Sequence, residues 1–483
     1  MPSSDAVTEP QVAEPPVRLA RALVRQARAV RFADLPGAAV DRLKICLLDF
    51  LSCAFEARDL PTSRQAAAIA TPLEGGATIL GSARTAPAGE AAFANATAGH
   101  GLVREDMHAA SIGHHGVVIW PLLLALAERE PVFAEREPAT GERLLLAAAL
   151  GYEAGGRIGR ALFTADLARL FRPTGLLGPL GGAVAGSVLL GFTEDEAVSA
   201  LALAANAACG LNQWPGEGGS EMYFHPGVAA RGAIAALDLA RAGAFGAEAI
   251  LDGEAGLFAA FGRRAPPAEI RLFPDGEAEI LAVYNKSVPA CNFAQTACQA
   301  AVAVAREVGP AETIEAVTVH LPEAAIRYPG CDAAGPFVRA LQAKMSIPYG
   351  VAAALARGRI DEAAYARLDD PAVTRILPLV RLVRDPGFTA DFPARQGAEV
   401  EVALSSGARI SRRLADVVPA TEGEIRARFR QAADAVLPAG RADAIEAAVD
   451  GLETAGSASR IAALCAADAA RPRLAARREP SRG

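Results

Sequence analysis

From Pro173 to Thr193 the chain runs without a charged side chain, and the segment is long enough to cross a bilayer. It also carries Gly175, Gly178, Gly181, Gly182, Gly186 and Gly191, together with Pro173 and Pro179. Small residues at this density suit close helix packing, so the segment reads as a helix buried inside a protein core, with a transmembrane helix as the second reading. The flanking sequence agrees with the first. Val40, Leu43, Leu47, Phe50, Leu51 and Ala54 fall on one face of a helix predicted over Gly37 to Ala57. Thr193 with Glu196 makes a capping box that starts another, running through Ala- and Leu-rich sequence toward Leu211. A further helix is predicted from Pro226, a residue favoured at a first helical position, to Gly243.

The periodicity changes after about Val283. Val317, Val319 and Leu321 alternate with Thr318 and His320, and Val400, Val402 and Leu404 alternate before a Ser405-Ser406-Gly407 turn, so both read as strands. A helix over Pro348 to Ala356 lies between them, and helical pattern returns from Glu424 to Ala467. At 483 residues the chain exceeds one ordinary core. The predicted layout is a disordered segment over 1–17, a helical domain over 18–282, an α/β domain over 283–415, a return to the helical domain over 416–470, and a flexible basic tail over 471–483. The net charge of -7 gives no basic face for nucleic acid. The N-terminus lacks the apolar stretch of a secretory signal. Seven scattered cysteines without CxxC spacing argue against disulfides and a zinc site and fit a reducing, cytoplasmic setting.

Histidine placement is the most informative chemical feature. Of six histidines, His100, His108, His114 and His115 lie in one stretch, GHGLVREDMHAASIGHHG, beside Glu105 and Asp106 and ahead of an apolar helix from Val117 to Ala127. Neutral imidazoles can take or give a proton at working pH, and a polar loop feeding a rigid helix can hold them in place. A solvated loop with incidental histidines is the alternative. No HExxH occurs and the spacing matches no familiar zinc pattern, so no metal is expected. A second cluster, GEGGSEMYFHPG, puts His225 near a helix start, where a ligand-binding and a plain capping role are equally open. A third, YNKSVPACNFAQTA, places Lys286 and Cys291 at the junction of the predicted domains. A lysine in a cleft there can pair with a carboxylate, and a solvated surface lysine is the ordinary alternative. The stretch GPLGGAVAG lacks both the GxGxxG and the GK[ST] spacing, which excludes dinucleotide and P-loop readings.

These segments together resemble the MmgE/PrpD family of lyases and isomerases. The likeness runs in order from about residue 18 to 470, through AFANATAGHGL, HHGVVIWPLLLALAE, GYEAGGRIG, RPTGLLGPLGGAVAGSVLLGFTEDEA, FHPGVAARGAIAALDLARAGAFG, KSVPAC and KMSIPYGVAAALARG. The resemblance implies a mainly α fold, with a large helical domain, a smaller α/β lid domain and an active site in the cleft between them. It further implies a homodimer, a small carboxylate substrate, and neither organic cofactor nor metal. On this reading Lys286 stands at the cleft hinge, His114 is the family's His-Pro-Gly histidine, Tyr349 is the aromatic of its Ser-x-x-Tyr, and Asp106 is the last acid of its Asp-Phe-Asp-Asp-Thr stretch.

The departures fall on the same motifs. Val103 replaces the first of those acids and Met107 the threonine, Arg172 replaces the histidine of a His-Pro-Thr, and Met222 replaces a lysine, while Cys291 agrees with many members. Losing an acid, a histidine and a lysine argues against a simple transfer of methylcitrate dehydration or cis-aconitate decarboxylation, and Arg172 can restore one carboxylate contact. The expected chemistry is proton abstraction next to a carboxylate. His114 is the favoured base or acid, His108 or Tyr349 its complement, and Asp106 the group that orients an imidazole. Lys286 and Arg172 would stabilise charge, with His225, Cys291, Met107 and Met222 around the substrate. A lyase is ranked first, an epimerase or isomerase of a small amino- or imino-dicarboxylate second, and a non-catalytic binding protein third.

Overall fold

The computed structural model describes residues 17–129, 139–309 and 313–468. The expected disorder of the N-terminal segment through 16 and the expected flexible tail over 471–483 lie outside the described residues. The fold is mainly α, with a smaller α/β domain.

Around Pro173–Leu190 the sequence logic is plain. Pro173 opens the helix, Gly191 ends it in the left-handed region at φ 63°, and nearly every side chain between them is buried. Of the 18-residue window that is apolar enough to cross a membrane, 94% is buried inside the protein, so this helix is a core element. Its glycines set the spacing to its neighbours. A Cβ at Gly178 would stand 2.9 Å from the Cβ of Ala229, and one at Gly182 would stand 2.9 Å from that of Ala233, both on the helix Glu221–Arg241. A Cβ at Gly181 would lie 2.8 Å from the carbonyl of Gly151 on the helix Gly141–Leu162. The helices Gly37–Ala57, Ala88–His100, Gly116–Arg129 and Glu194–Ala205 complete this first core. The capping box of Thr193 and Glu196 forms as the sequence predicts.

One boundary differs from expectation. The helix predicted from Pro226 begins at Glu221, so Pro226 sits within it and His225 lies beyond its first turn. Glu221 at the first position suits the positive end of the helix dipole, and this favours the earlier start.

The second core is built around a four-stranded sheet in the order Val380–Arg384, Ile314–Leu321, Ala398–Leu404, Arg409–Leu414. The first pair is parallel and the others antiparallel. Ala398, Val400, Val402 and Leu404 all face inward, the period-two pattern of a half-buried strand. The helices Gln295–Ala305 and Ile347–Arg357 pack on each other, and the first of them also lies against the sheet. This core recruits Val103, Ala168, Trp214 and Met222 from the first half of the chain, so the two units share an apolar boundary.

The chain crosses that boundary twice, and the crossings are fastened together. The N–H of Ala420 donates to the carbonyl of Asn285 at 2.9 Å. The Asn285 amide donates to Asp49 at 2.7 Å, and Arg428 donates to the Lys286 carbonyl at 2.9 Å while also pairing with Asp49. Arg428 belongs to the helix Glu422–Asp434, which returns to the first core and packs on Gly37–Ala57.

Candidate active site

At the boundary lies a narrow cavity, with room in this structure for about one water molecule (about 10 Å³), lined by Val103, Met107, Ile112, His114, Arg172, Lys286, Cys291, Asn292, Phe293, Tyr328 and Met345. Its His114, Arg172, Lys286 and Cys291 come from three separate parts of the chain. His114 sits just before Gly116–Arg129, and its backbone N–H donates to the Thr174 hydroxyl at 3.1 Å, which ties it to the start of Pro173–Leu190. Arg172 is the residue preceding that helix. Lys286 and Cys291 come from the crossing segment.

The imidazoles have assigned tautomers because their partners leave no choice. His114 Nδ1 lies 2.8 Å from a Glu105 carboxylate oxygen and 3.0 Å from the Asp106 backbone carbonyl, both acceptors, so Nδ1 carries the proton and Nε2 is a free lone pair. His100 Nδ1 donates to the same Glu105 oxygen at 2.6 Å, and its Nε2 accepts from Arg172 at 2.9 Å. Burial, followed by the charge of Lys286, pushes His114 down to about 3, so its ring is neutral near pH 7. Burial pushes the Glu105 carboxyl up, but the two imidazole N–H donors outweigh it and hold Glu105 well below the usual carboxylate range. Its second oxygen is buried without a hydrogen bond.

Two cations face this pair. Lys286 is fully buried, and its Nζ donates only to backbone carbonyls, that of Val103 at 3.0 Å and that of Ala290 at 3.3 Å. Burial lowers its pKa. Arg172, also buried, donates to His100, lies over the Trp214 ring at 5.8 Å, and keeps an Nε without a partner. Neither forms an ion pair with a carboxylate among the described residues. Val103 and Ile112, both β-branched, line the cavity at φ 57° and 53°, a conformation such residues rarely hold. Cys291 places its thiol 3.7 Å from that of Cys331; this contact lowers it to about 7 against the effect of burial, with Lys286 adding to the lowering.

His100, Glu105 and His114 also offer three ligand atoms within 4.8 Å of one another. Both Nδ1 atoms are spent on Glu105, His100 Nε2 is spent on Arg172, and two cations stand beside the group. The donor set fits an anion better than a divalent metal ion.

Of the residues expected from sequence, His114, Lys286, Arg172, Cys291 and Met107 line the cavity, and the others do not. His108 turns away: its Nε2 donates to Glu279 at 2.6 Å and its Nδ1 meets Ser111 at 2.7 Å, in a buried network beside His115 and Arg160. Tyr349 stands apart from the cavity as well: its hydroxyl donates to the Ala364 carbonyl at 2.7 Å and its ring packs between Phe337 and Tyr365. The carboxylate beside the His114 ring is that of Glu105; the side chain of Asp106, expected to orient an imidazole, accepts from the Tyr152 hydroxyl, and burial pushes it up to about 7. Met222 is sealed in the second core. His225 stands behind Arg172, its Nδ1 buried without a partner and its pKa lowered to about 3 by burial and then by Arg172.

Comparison with known proteins agrees with this architecture. Residues 21–269 match the MmgE/PrpD N-terminal domain and residues 288–454 the MmgE/PrpD C-terminal domain. The chain is 28% identical over 459 residues to the cis-aconitate decarboxylase-like protein oryM of Aspergillus oryzae, covering 89% of this chain and 94% of the relative. It is 28% identical to the cis-aconitate decarboxylase of Mus musculus over 75% of each chain. To the 2-methylcitrate dehydratase of Cupriavidus necator it is 27% identical, over 76% of this chain and 78% of that one. Named decarboxylases and a dehydratase are lyases, and the two domain matches together span both cores: the chain belongs to the MmgE/PrpD family, as a divergent member.

Proposed function

We propose that this protein is a lyase that acts on a small polycarboxylic acid by proton transfer at the carbon next to a carboxylate: either the proton is removed and the electron pair expels a β-hydroxyl, protonated as it leaves as water, to form a double bond, or carbon dioxide departs, its bonding electrons stay on the substrate, and the carbanion so formed takes a proton from the site. One observation carries the reading. His114, with its Nδ1 turned to the Asp106 carbonyl and Glu105, lines a cavity that also holds two buried cations, Lys286 and Arg172, neither of which forms an ion pair with a carboxylate among the described residues. Buried charges without partners are costly, and a substrate carboxylate supplies what they lack.

A carboxylate does little to acidify its neighbouring C–H. Abstraction therefore needs positive charge where the enediolate-like oxygens develop, and Arg172 and Lys286 provide it in a site from which water is largely excluded. His114 takes the proton on Nε2. Glu105 stabilises the resulting imidazolium through Nδ1–H, and the anionic substrate raises the basicity of a ring that burial alone keeps weak. With His108 and Tyr349 turned away, the groups placed to protonate a leaving group are the Lys286 ammonium and the Cys291 thiol, both lining the same cavity. The family's cis-aconitate decarboxylases and 2-methylcitrate dehydratase support elimination as the outcome. No cofactor is used in this scheme, and the setting proposed is cytoplasmic.

The test is a panel of di- and tricarboxylates, amino and imino variants included, incubated in deuterated water and read by mass spectrometry and NMR. Loss of water with a new double bond, or loss of carbon dioxide with one deuterium gained from solvent, is expected. Deuterium uptake without mass loss would make the protein an isomerase instead, and neither change with any acid would leave only binding.

A further inference from the structure

Beside the inner cavity lies a second and larger one, about 400 Å³, lined by residues from both domains. Its floor and walls are apolar: Ile112 and Phe163 from the helical domain, Phe293, Tyr328 and Phe392 from the smaller one. Its rim is charged. Arg327 stands 3.6 Å from Glu323 and 4.0 Å from Asp166, all at the mouth. The two cavities are neighbours in the strict sense that Ile112, Phe293 and Tyr328 line both. Phe293 is also the centre of an aromatic group, its ring 5.1 Å from that of Tyr328 and 5.7 Å from that of Phe392.

The lining divides by chemistry along this path. The inner cavity gathers His114, Arg172 and Lys286, and a polycarboxylate consumes all of that polarity. Beyond Phe293 the lining is mainly apolar, with the hydroxyls of Thr164 and Thr389 among it, and its four charged residues, Asp166, Arg169, Glu323 and Arg327, include both signs. A substrate made solely of carboxylates and hydroxyls would fill the inner cavity and leave the apolar one exposed to water. The backbone of Ile112, which lines both spaces, is held at φ 53°, a strained conformation for a β-branched residue.

We propose that the outer cavity receives an alkyl chain carried by the substrate: the carboxylates dock on Arg172 and Lys286, and the chain runs past Ile112, Phe293 and Tyr328 into the apolar space. This rests on the proposed function for the carboxylate end only, and binding tests it without turnover. The probes are methylsuccinate and hexylsuccinate, which present the same two carboxylates, titrated calorimetrically into the whole protein.

Hexylsuccinate is expected to bind at least ~30-fold more tightly, since each buried methylene is worth roughly fourfold in affinity and only part of the chain need be buried. Two variants narrow the outer cavity from opposite sides, Ala165→Trp on the helical domain and Ala324→Trp on the smaller one. Ala165 is exposed and Ala324 half-buried, so neither replacement invades a core. In at least one of them the ratio between the two ligands is expected to fall toward one. Equal affinities for the two ligands in the unmodified protein, or a ratio retained in both variants, would overturn the proposal. If no acid is turned over but the chain-length ratio stands, the lyase reading fails and this one survives. Turnover of short acids with no chain-length ratio gives the reverse result.

Discussion

His114 owes its proposed role to the carboxylate on its far side. Because Glu105 and the Asp106 carbonyl both accept from Nδ1, the lone pair is left on Nε2 of a ring that lines the cavity. Replacing His114 by Ala is expected to cost at least ~10²-fold in kcat with the fold retained, and near-normal turnover would remove it from the mechanism. Glu105→Gln separates positioning from packing. Removing a negative charge beside the ring makes its protonation harder, so the acidic limb of the kcat/KM profile should move to lower pH while kcat falls. A purely structural role would leave that limb where it is. The sequence makes the histidine cluster conspicuous, and from it His114 can be chosen. It does not show which acid serves the ring. Glu105 and Asp106 are adjacent in an irregular loop with no periodicity to assign their directions, and only the folded chain sends one carboxylate to His100 and His114 and the other to Tyr152. His108 misled for the same reason: its short strand pairs with Val283–Tyr284, which aims the ring at Glu279.

At the scale of elements, the glycine-rich helix Pro173–Leu190 was readable because its composition admits few packings. The strands 317–321 and 400–404 were readable because their period of two persists in the burial pattern. The start of Glu221–Arg241 was not, since a proline usually signals a first turn and here the helix has already begun. The contact of Gly182 with Ala233 gives a direct stability prediction. Gly182→Leu forces side-chain volume between two helix backbones that leave no room for a Cβ, and should lower unfolding stability by about 1–3 kcal/mol or more. Gly216→Leu, where an added Cβ meets nothing within 4 Å, is the control. Urea titration followed by far-UV circular dichroism compares them, and equal midpoints would show that the helix pair tolerates separation.

For the molecule as a whole, the buried imidazoles govern the response to acid. His114, His115 and His225 are each held down to about 3 by burial. The unfolded chain takes up these protons near pH 6.5 and the folded chain only near 3, so the stability they confer is complete above pH 6.5 and is lost as pH falls toward 3. Asp106, raised to about 7, works the other way, because the folded state holds its proton until about pH 7 and the unfolded chain loses it near 3.9. His100 is lowered by burial as well, while burial raises Glu128 and Glu153 in the same sense as Asp106, so four imidazoles stand against three carboxyls, and the urea midpoint is expected to rise between pH 4 and 6.5. A midpoint that is flat or falls over that interval would mean that the rings are already charged in the native protein.

The fastening of the two chain crossings has a mechanical consequence. Lys286 has its backbone carbonyl held by Arg428 and its amine held by Val103, so it is anchored to the helical body although it stands at the edge of the smaller domain. Should that domain swing, Asn285 and Ala420 are its axle, and the ammonium next to the axle hardly travels. What travels is the body of the smaller domain beyond that segment. Opening the protein would then move the doorway and leave the base and both cations at their posts.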